Sequence, residues 1–212
     1  MEKAVVIVAG GTGSRMQNDL PKQFISISGK PVIVYTIQAF QLAYKNIPVV
    51  IVCHSSYIEE LKTIIHKHLD STNIEIVPGG ATRFHSSYAG LQAVAFKQGL
   101  VAIHDAARPF IKPATIEACF EVCAQKGNAI PAIRVTDTVR RIEGEESSLV
   151  DRTALRKIQT PQCFQLAEIL EAYNAAFKLV ENQQVESLQN AQKYEFTDDA
   201  SVLDYYLSLI HI

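Results

Sequence analysis

Nothing in this chain approaches the ~20 consecutive apolar residues that a membrane span requires, which argues against an integral helical membrane protein. Met1-Glu2-Lys3 leads straight into a short strand-like segment, without the apolar stretch and cleavage site of a secretion signal. An excess of cations is also lacking. Lys and Arg total 20 against 22 Asp and Glu, for a net charge of -2. A nucleic-acid backbone is therefore not the expected partner, and any bound phosphate must be met by locally placed cations. The four cysteines, Cys53, Cys119, Cys123 and Cys163, form no C-x-x-C pair and no zinc spacing. They read as reduced, buried residues of a cytoplasmic protein. No internal repeat and no linker composition divides the chain, and 212 residues suit one domain spanning 1–212.

What is present is an alternation. Short β-branched runs at 4–9, 49–53, 74–77, 100–103 and 128–133 have the apolar character of strands covered on both faces. Between them, apolar residues recur at the helical period: Ile33, Ile37, Phe40 and Tyr44; Ile58, Leu61, Ile65 and Leu69; Ile116, Phe120 and Cys123. This order predicts an α/β fold with a mostly parallel, Rossmann-like sheet and helices on both faces. Residues 134–159 break the pattern, mixing charges with single apolar residues, and are expected to leave the core as a hairpin arm. A helical stripe returns at Ile169, Tyr173, Phe177 and Val180, and the polar, Gln/Asn-rich stretch 181–195 predicts a surface loop. Thr197 is expected to cap a last helix, with Asp198 and Asp199 in its first turn and Val202, Tyr205, Tyr206 and Leu209 on its apolar face.

The chemistry concentrates where the first strand runs into Ala9-Gly10-Gly11-Thr12-Gly13-Ser14-Arg15-Met16. Glycines let the backbone approach a ligand and turn its N–H groups toward an anion. The dinucleotide fingerprint fails, because Met16 stands where the third glycine belongs. The P-loop fails too, for want of Gly-Lys-Ser/Thr in this turn. Instead Arg15, and then Pro21-Lys22-Gln23, supply two cations beside one glycine turn. Either alone is an ordinary solvated surface residue. Together they suit a triphosphate, where fixed cations stabilise the charge that develops during phosphoryl-type transfer.

Ala9–Met16 with Pro21-Lys22-Gln23 resembles the opening signature of the sugar-phosphate cytidylyltransferases. Five further segments extend the resemblance in the same order: Gly79-Gly80-Ala81-Thr82-Arg83 with Ser86; His104-Asp105-Ala106-Ala107-Arg108-Pro109; Asp137-Thr138-Val139; Asp151-Arg152 leading to Gln159-Thr160-Pro161-Gln162; and Thr197-Asp198-Asp199-Ala200-Ser201. The resemblance implies transfer of a cytidylyl group from CTP to the phosphate of a small sugar alcohol, with Mg²⁺ held mainly by the CTP phosphates. Ala9, Gly10, Gly11, Thr12 and Gly13 would wrap the nucleotide, Arg15 and Lys22 would neutralise the α-phosphate, and Gly80, Ala81 and Ser86 would read the cytosine. Asp105 and Ala106 would also meet the nucleotide. Asp105, Arg108, Thr160 and Thr197 would face the second substrate, with Thr160 also fixing where the chain re-enters the core. The arm would hook around a second subunit of a homodimer and deliver Thr138 and Arg152 to its site. Because the attacking phosphate oxygen is already anionic, no general base is needed, and His104 takes a structural role.

Asp137-Thr138-Val139 and Asp151-Arg152-x-x-Leu155 resemble the branch acting on 2-C-methyl-D-erythritol 4-phosphate, of isoprenoid precursor synthesis, more than the branch acting on ribitol 5-phosphate. Ribitol 5-phosphate stays open as a substrate, as does a nucleotide-binding pseudoenzyme that folds but turns over poorly. Ala81 departs from the acidic residue usual after the paired glycines. The family pattern also continues past the last helix with a strand, an Asn-x-Lys segment before a threonine, and a final helix. This sequence offers no counterpart, so weak activity is expected, with CTP binding better preserved than turnover.

Overall fold

The computed structural model describes residues 1–10, 20–70, 72–186 and 196–210. In chain order the elements are β1 (Lys3–Ala9), a small hairpin of β2 (Ser26–Ile27) and β3 (Lys30–Pro31), α1 (Val32–Ala43), β4 (Val49–Cys53), α2 (Ile58–His68), β5 (Ile74–Pro78), α3 (Arg83–Gln92), β6 (Leu100–Asp105) and α4 (Pro113–Lys126). There follow β7 (Asn128–Ala129), β8 (Ala132–Arg134), β9 (Val139–Glu143), β10 (Glu146–Val150), β11 (Arg156–Ile158), β12 (Gln162–Gln165), α5 (Leu166–Glu186) and α6 (Asp199–Ile210).

The main sheet has the order β5-β4-β1-β6-β12-β7. Its first four strands are parallel, as the buried apolar runs predict, whereas β12 runs antiparallel to both neighbours. Alternation along β1 divides the core into two layers. Val5 and Ile7 pack with Ile33, Ile37 and Phe40 of α1, Leu61 of α2 and Phe120 of α4. Ala4 and Val6 pack on the opposite face with Phe84 and Leu91 of α3, Tyr173 of α5 and Val202 of α6. Helix α3 lies so near the sheet that a Cβ at Gly90 would stand 2.4 Å from Val6 Cγ1, so the position tolerates no side chain. None of the described helices is long and apolar enough to cross a membrane.

The run 128–133 is not one strand. It splits at Ile130-Pro131 into β7, in the main sheet, and β8, outside it; proline supplies no N–H to a ladder. β8 pairs with β11 to form a stem, and beyond it β9 pairs with β10. The predicted excursion is therefore a two-tier hairpin, exposed over most of its length. Two further expectations are corrected. Helix α5 continues to Glu186, so the stretch expected as a loop begins helical, and 187–195 lies outside the described residues. The last helix is capped by Asp198, not Thr197: Ser201 N–H donates to Asp198 Oδ1 at 3.0 Å, while Thr197 is exposed. With the helix starting at Asp199, Ser201 is its third residue, the position an N-cap side chain reaches. Of the expected apolar face, Val202 is buried and Tyr205 and Tyr206 are partly so, Leu203 joins them, and the Leu209 side chain lies outside the described set.

Candidate active site

From β1 the chain builds outward to β4 and β5, then crosses back to place β6 on the other side of β1. Ligands of open parallel sheets bind beyond the carboxyl ends of the strands at such a reversal. The register aligns those ends, pairing Ala9 with Cys53, Cys53 with Pro78 and Val8 with Asp105. Gly10, Gly79-Gly80 and Asp105-Ala106 therefore emerge together. Two bonds carry the ladder past the strands: Gly79 N–H to the Cys53 carbonyl at 2.7 Å, and Ala106 N–H to the Val8 carbonyl at 3.0 Å. Buried Thr36 of α1 donates to the Ala106 carbonyl at 2.8 Å and pins the turn after β6.

The loop 79–82 is shaped by Ser86. Its buried hydroxyl accepts from Gly80 N–H at 3.2 Å and donates to the Thr82 carbonyl at 3.0 Å. A Cβ at Gly80 would stand 2.4 Å from His85 Cβ, which only glycine avoids. Gly80 and Ala81 remain exposed, so their backbone is what a ligand meets, with Ser86 as the support beneath. Lys22 opens a single 3₁₀ turn whose Gln23 donates from its side-chain amide to the Ala9 carbonyl at 2.6 Å. That bond sets Lys22 beside the end of β1. Its ammonium makes no hydrogen bond or ion pair with another described residue. Gly11, Thr12, Gly13 and Arg15 lie outside the described residues.

Around Asp105 the charges form a chain. Arg108 Nε approaches Asp105 Oδ2 at 2.8 Å, and Arg83 Nη2 stands 3.4 Å from Oδ1. The same Arg83 nitrogen lies 2.7 Å from Asp199 Oδ2, and the Tyr173 hydroxyl donates to Asp199 Oδ1 at 2.6 Å. Asp199 is fully buried. Burial alone lowers the pKa of Arg83, but the charge and hydrogen bond of Asp199, joined by Asp105, more than offset it, and the net shift is upward. Burial, then the Asp199 charge, pushes the Tyr173 phenol well up, so it stays a donor. His104 is fully buried and pulled down to about 4 by desolvation. Its Nε2 faces the Arg108 carbonyl at 3.1 Å; a carbonyl only accepts, so Nε2 carries the proton and the ring is neutral. This geometry fits the structural role expected of it.

Residues 3–211 match the family of 2-C-methyl-D-erythritol 4-phosphate cytidylyltransferases. The chain belongs to that family of nucleotidyltransferases. A protein of Bacteroides thetaiotaomicron named 2-C-methyl-D-erythritol 4-phosphate cytidylyltransferase is 35% identical over 212 residues, covering 100% of this chain and 90% of its own. One of the same name from Halalkalibacterium halodurans is 38% identical over 206 residues, covering 97% of this chain and 84% of its own. The crystal structure of 2-C-methyl-D-erythritol 4-phosphate cytidylyltransferase from Thermus thermophilus is 28% identical and superposes with a TM-score of 0.71, covering 97% of this chain and 85% of that one.

Within this cytidylyltransferase fold, Ala9, Gly10, Lys22, Gly80, Ala81, Ser86, Asp105, Ala106 and Arg108 converge on one edge. Thr160 joins them, its buried hydroxyl accepting from Asp105 N–H at 3.4 Å. Arg108 also reaches the base of the arm, donating to Gln159 Oε1 at 2.6 Å. Thr138 and Arg152 lie exposed in the arm, where Arg152 donates to the Thr136 carbonyl at 2.5 Å; neither bonds to the edge residues within the described chain. The sequence motifs contain Arg83 and Asp199 but marked neither as part of the site, Asp199 being expected only in the first turn of the last helix, and Tyr173 read as one member of an apolar helical stripe. Gln162 was expected, with Thr160-Pro161, only to fix where the chain re-enters the core: it is buried, donates to Asp198 Oδ2 at 3.0 Å and accepts from Ala200 N–H at 2.9 Å, which seats the start of α6.

Proposed function

We propose that this chain transfers a cytidylyl group from CTP to 2-C-methyl-D-erythritol 4-phosphate, giving 4-diphosphocytidyl-2-C-methyl-D-erythritol and pyrophosphate. The observation that carries this reading is the meeting of Gly10, Gly79-Gly80 and the Asp105–Arg108 turn at one sheet edge, with Lys22 set beside them by Gln23. A phosphate oxygen of the acceptor attacks the α-phosphorus of CTP, the bond from that phosphorus to the α–β bridging oxygen breaks, and pyrophosphate leaves. The attacking oxygen is already anionic, and a buried, neutral His104 suits a site that needs no general base. Lys22, with Arg15 seven residues before it in the sequence, meets the charge that grows on the α-phosphate. The exposed backbone of Gly80 and Ala81 reads the pyrimidine. Asp105 and Arg108 hold sugar hydroxyls and the acceptor, alongside Thr160 and Thr197.

Among the described residues no group of three or more His, Cys, Asp or Glu is arranged to hold a metal. The edge offers Asp105 as a single carboxylate, which fits Mg²⁺ held mainly by triphosphate oxygens and water. Mg²⁺ held there would screen the repulsion between the two phosphate-bearing substrates.

The homodimer belongs to the same proposal. Ile142 and Leu149 are 67% and 69% exposed. The register pairs Ser147 with Ile142 and Leu149 with Arg140, which puts both apolar residues on one face of the arm. Such a face is suited to a second subunit, in whose site Thr138 and Arg152 would serve. Four unpaired, buried thiols support a reducing, cytoplasmic setting.

The test is pyrophosphate release with Mg²⁺, pairing each of CTP, UTP, ATP and GTP with methylerythritol phosphate or ribitol 5-phosphate. Turnover should be greatest with CTP and methylerythritol phosphate. Comparable rates with a purine nucleotide, or a preference for ribitol 5-phosphate, would overturn the assignment.

A further inference from the structure

Arg83 is the first residue of α3 and directly follows the loop that Ser86 shapes. Its guanidinium bridges two carboxylates of different character. Asp199 is fully buried, with its other oxygen taken by Tyr173, so it is a fixed anchor. The position of that anchor is set again by Gln162, which holds Asp198 and Ala200 on either side of it. Asp105 instead stands at the sheet edge, its side chain 30% exposed, with one oxygen near Arg83 and the other on Arg108.

We propose that Arg83 is a positioning residue for Asp105 in cytidylyl transfer, using buried Asp199 as its anchor. This rests on the function proposed above, in which Asp105 contacts the reactants. A carboxylate on a turn has two free torsions. Guanidinium groups on both sides narrow them before any ligand arrives, which is how a site is held near its productive geometry. Stability alone gives little reason for the arrangement, since a buried ion pair is often no better than apolar packing. Its sharing with a partly exposed carboxylate at the ligand edge does give one. Lysine at this position would keep a charge for Asp199, but its ammonium sits on a flexible stem, without the rigid planar group that fixes Nη2 between the two carboxylates.

The test is a double-mutant cycle. Arg83→Lys, Asp105→Asn and the double variant are compared for kcat, for KM of both substrates, for melting temperature and for CTP affinity by calorimetry. Arg83→Lys is expected to fold and to lose roughly ten- to a hundredfold in kcat/KM, the scale of an ångström-sized misplacement. Asp105→Asn should lose at least as much, and the double variant should be no worse than Asp105→Asn. Losses that multiply would show that Arg83 acts independently of Asp105 and would overturn the proposal, as would an unchanged Arg83→Lys enzyme.

Should Arg83→Lys fail to fold, Tyr173→Phe loosens the anchor by a single hydroxyl. Its loss of kcat/KM should vanish in the Asp105→Asn background, and persistence there overturns the proposal. An unmutated chain that releases no pyrophosphate with either sugar phosphate refutes the proposed function instead. The same cycle is then read in CTP affinity, where non-additive losses support the positioning role and additive or absent losses end it.

Discussion

The side-chain amide of Gln23 donates to the main-chain carbonyl of Ala9 across 2.6 Å, tying the lysine-bearing turn to the end of the central strand. Lys22 and Gln23 therefore have separable signatures. Lys22→Ala should cut kcat by roughly 10²–10³ while leaving CTP affinity and melting temperature nearly unchanged, because a transition-state cation is removed. Arg15→Ala should behave alike. Gln23→Ala should lower both kcat and stability, the latter by about 1–3 kcal/mol, because a buried carbonyl loses a donor. Steady-state kinetics and thermal melts separate these outcomes. Near-normal turnover in Lys22→Ala and Arg15→Ala would remove both as stabilisers of the α-phosphate.

Ser86→Ala should act on the nucleotide. It removes the acceptor for Gly80 N–H and the donor to Thr82, two bonds each worth about 0.5–1.5 kcal/mol. The KM for CTP should rise about tenfold on that account, with the KM for the sugar phosphate changing much less. Equal changes in both constants would show that the loop does not read the base.

Arg152 should serve a neighbouring subunit. Homodimers of Arg152→Ala and of Lys22→Ala should each be nearly inactive. A heterodimer of the two carries one site with both groups intact and should recover up to half the activity of the unmutated dimer, by counting sites. Recovery is measured on purified heterodimer carrying two different tags. No recovery would place Arg152 in its own subunit's chemistry, or outside the chemistry altogether.

His104 should make the fold acid-sensitive. Its pKa is depressed from 6.5 to about 4 in the folded chain. Above pH 6.5 both states are neutral and the contribution to stability is complete. As pH falls from 6.5 toward 4, the unfolded chain takes up a proton that the folded chain refuses, and stability drops by up to about 3 kcal/mol. His104→Gln keeps an N–H donor without a titrating ring, so its denaturant midpoint should fall less over that interval. Parallel slopes for the two proteins would refute the assignment.

The α/β order was legible because strands buried on both faces read as unbroken apolar runs, as in β1, β4 and β6. Helix α3 was not legible. Its inward face includes Ser87 and Gly90 beside Phe84 and Leu91, so it packs by close approach and leaves no stripe of large apolar residues. Strand β12 is four residues long, too short for any period to declare itself. The last helix was placed correctly, but its cap was read one residue early, since Thr197 and Asp198 are both competent caps and only the first helical turn distinguishes them.

Of the candidate site, Lys22 and Asp105 were marked by their segments, one beside the glycine turn and one at the end of a strand, whereas Gly80 and Arg108 were marked only by the family resemblance. The pair of Arg83 and Asp199 could not. Its members are 116 residues apart, and nothing local to either marks the other as its partner. The contacts of Gln162 escaped for the same reason: its place after Thr160-Pro161 suggested a structural role, but not that it would seat the start of α6.

Strand β7 has β12 as its neighbour in the main sheet, yet the whole arm lies between them in the chain. During synthesis, β5, β4, β1 and β6 can assemble as each emerges, while β7 and the outer edge of β6 must wait for residue 165. Until then an apolar edge is open to pairing with other chains. The arm is thus a timer as well as a limb: lengthening it would prolong this exposure during translation, and the two-residue β7 limits how much ladder is left waiting.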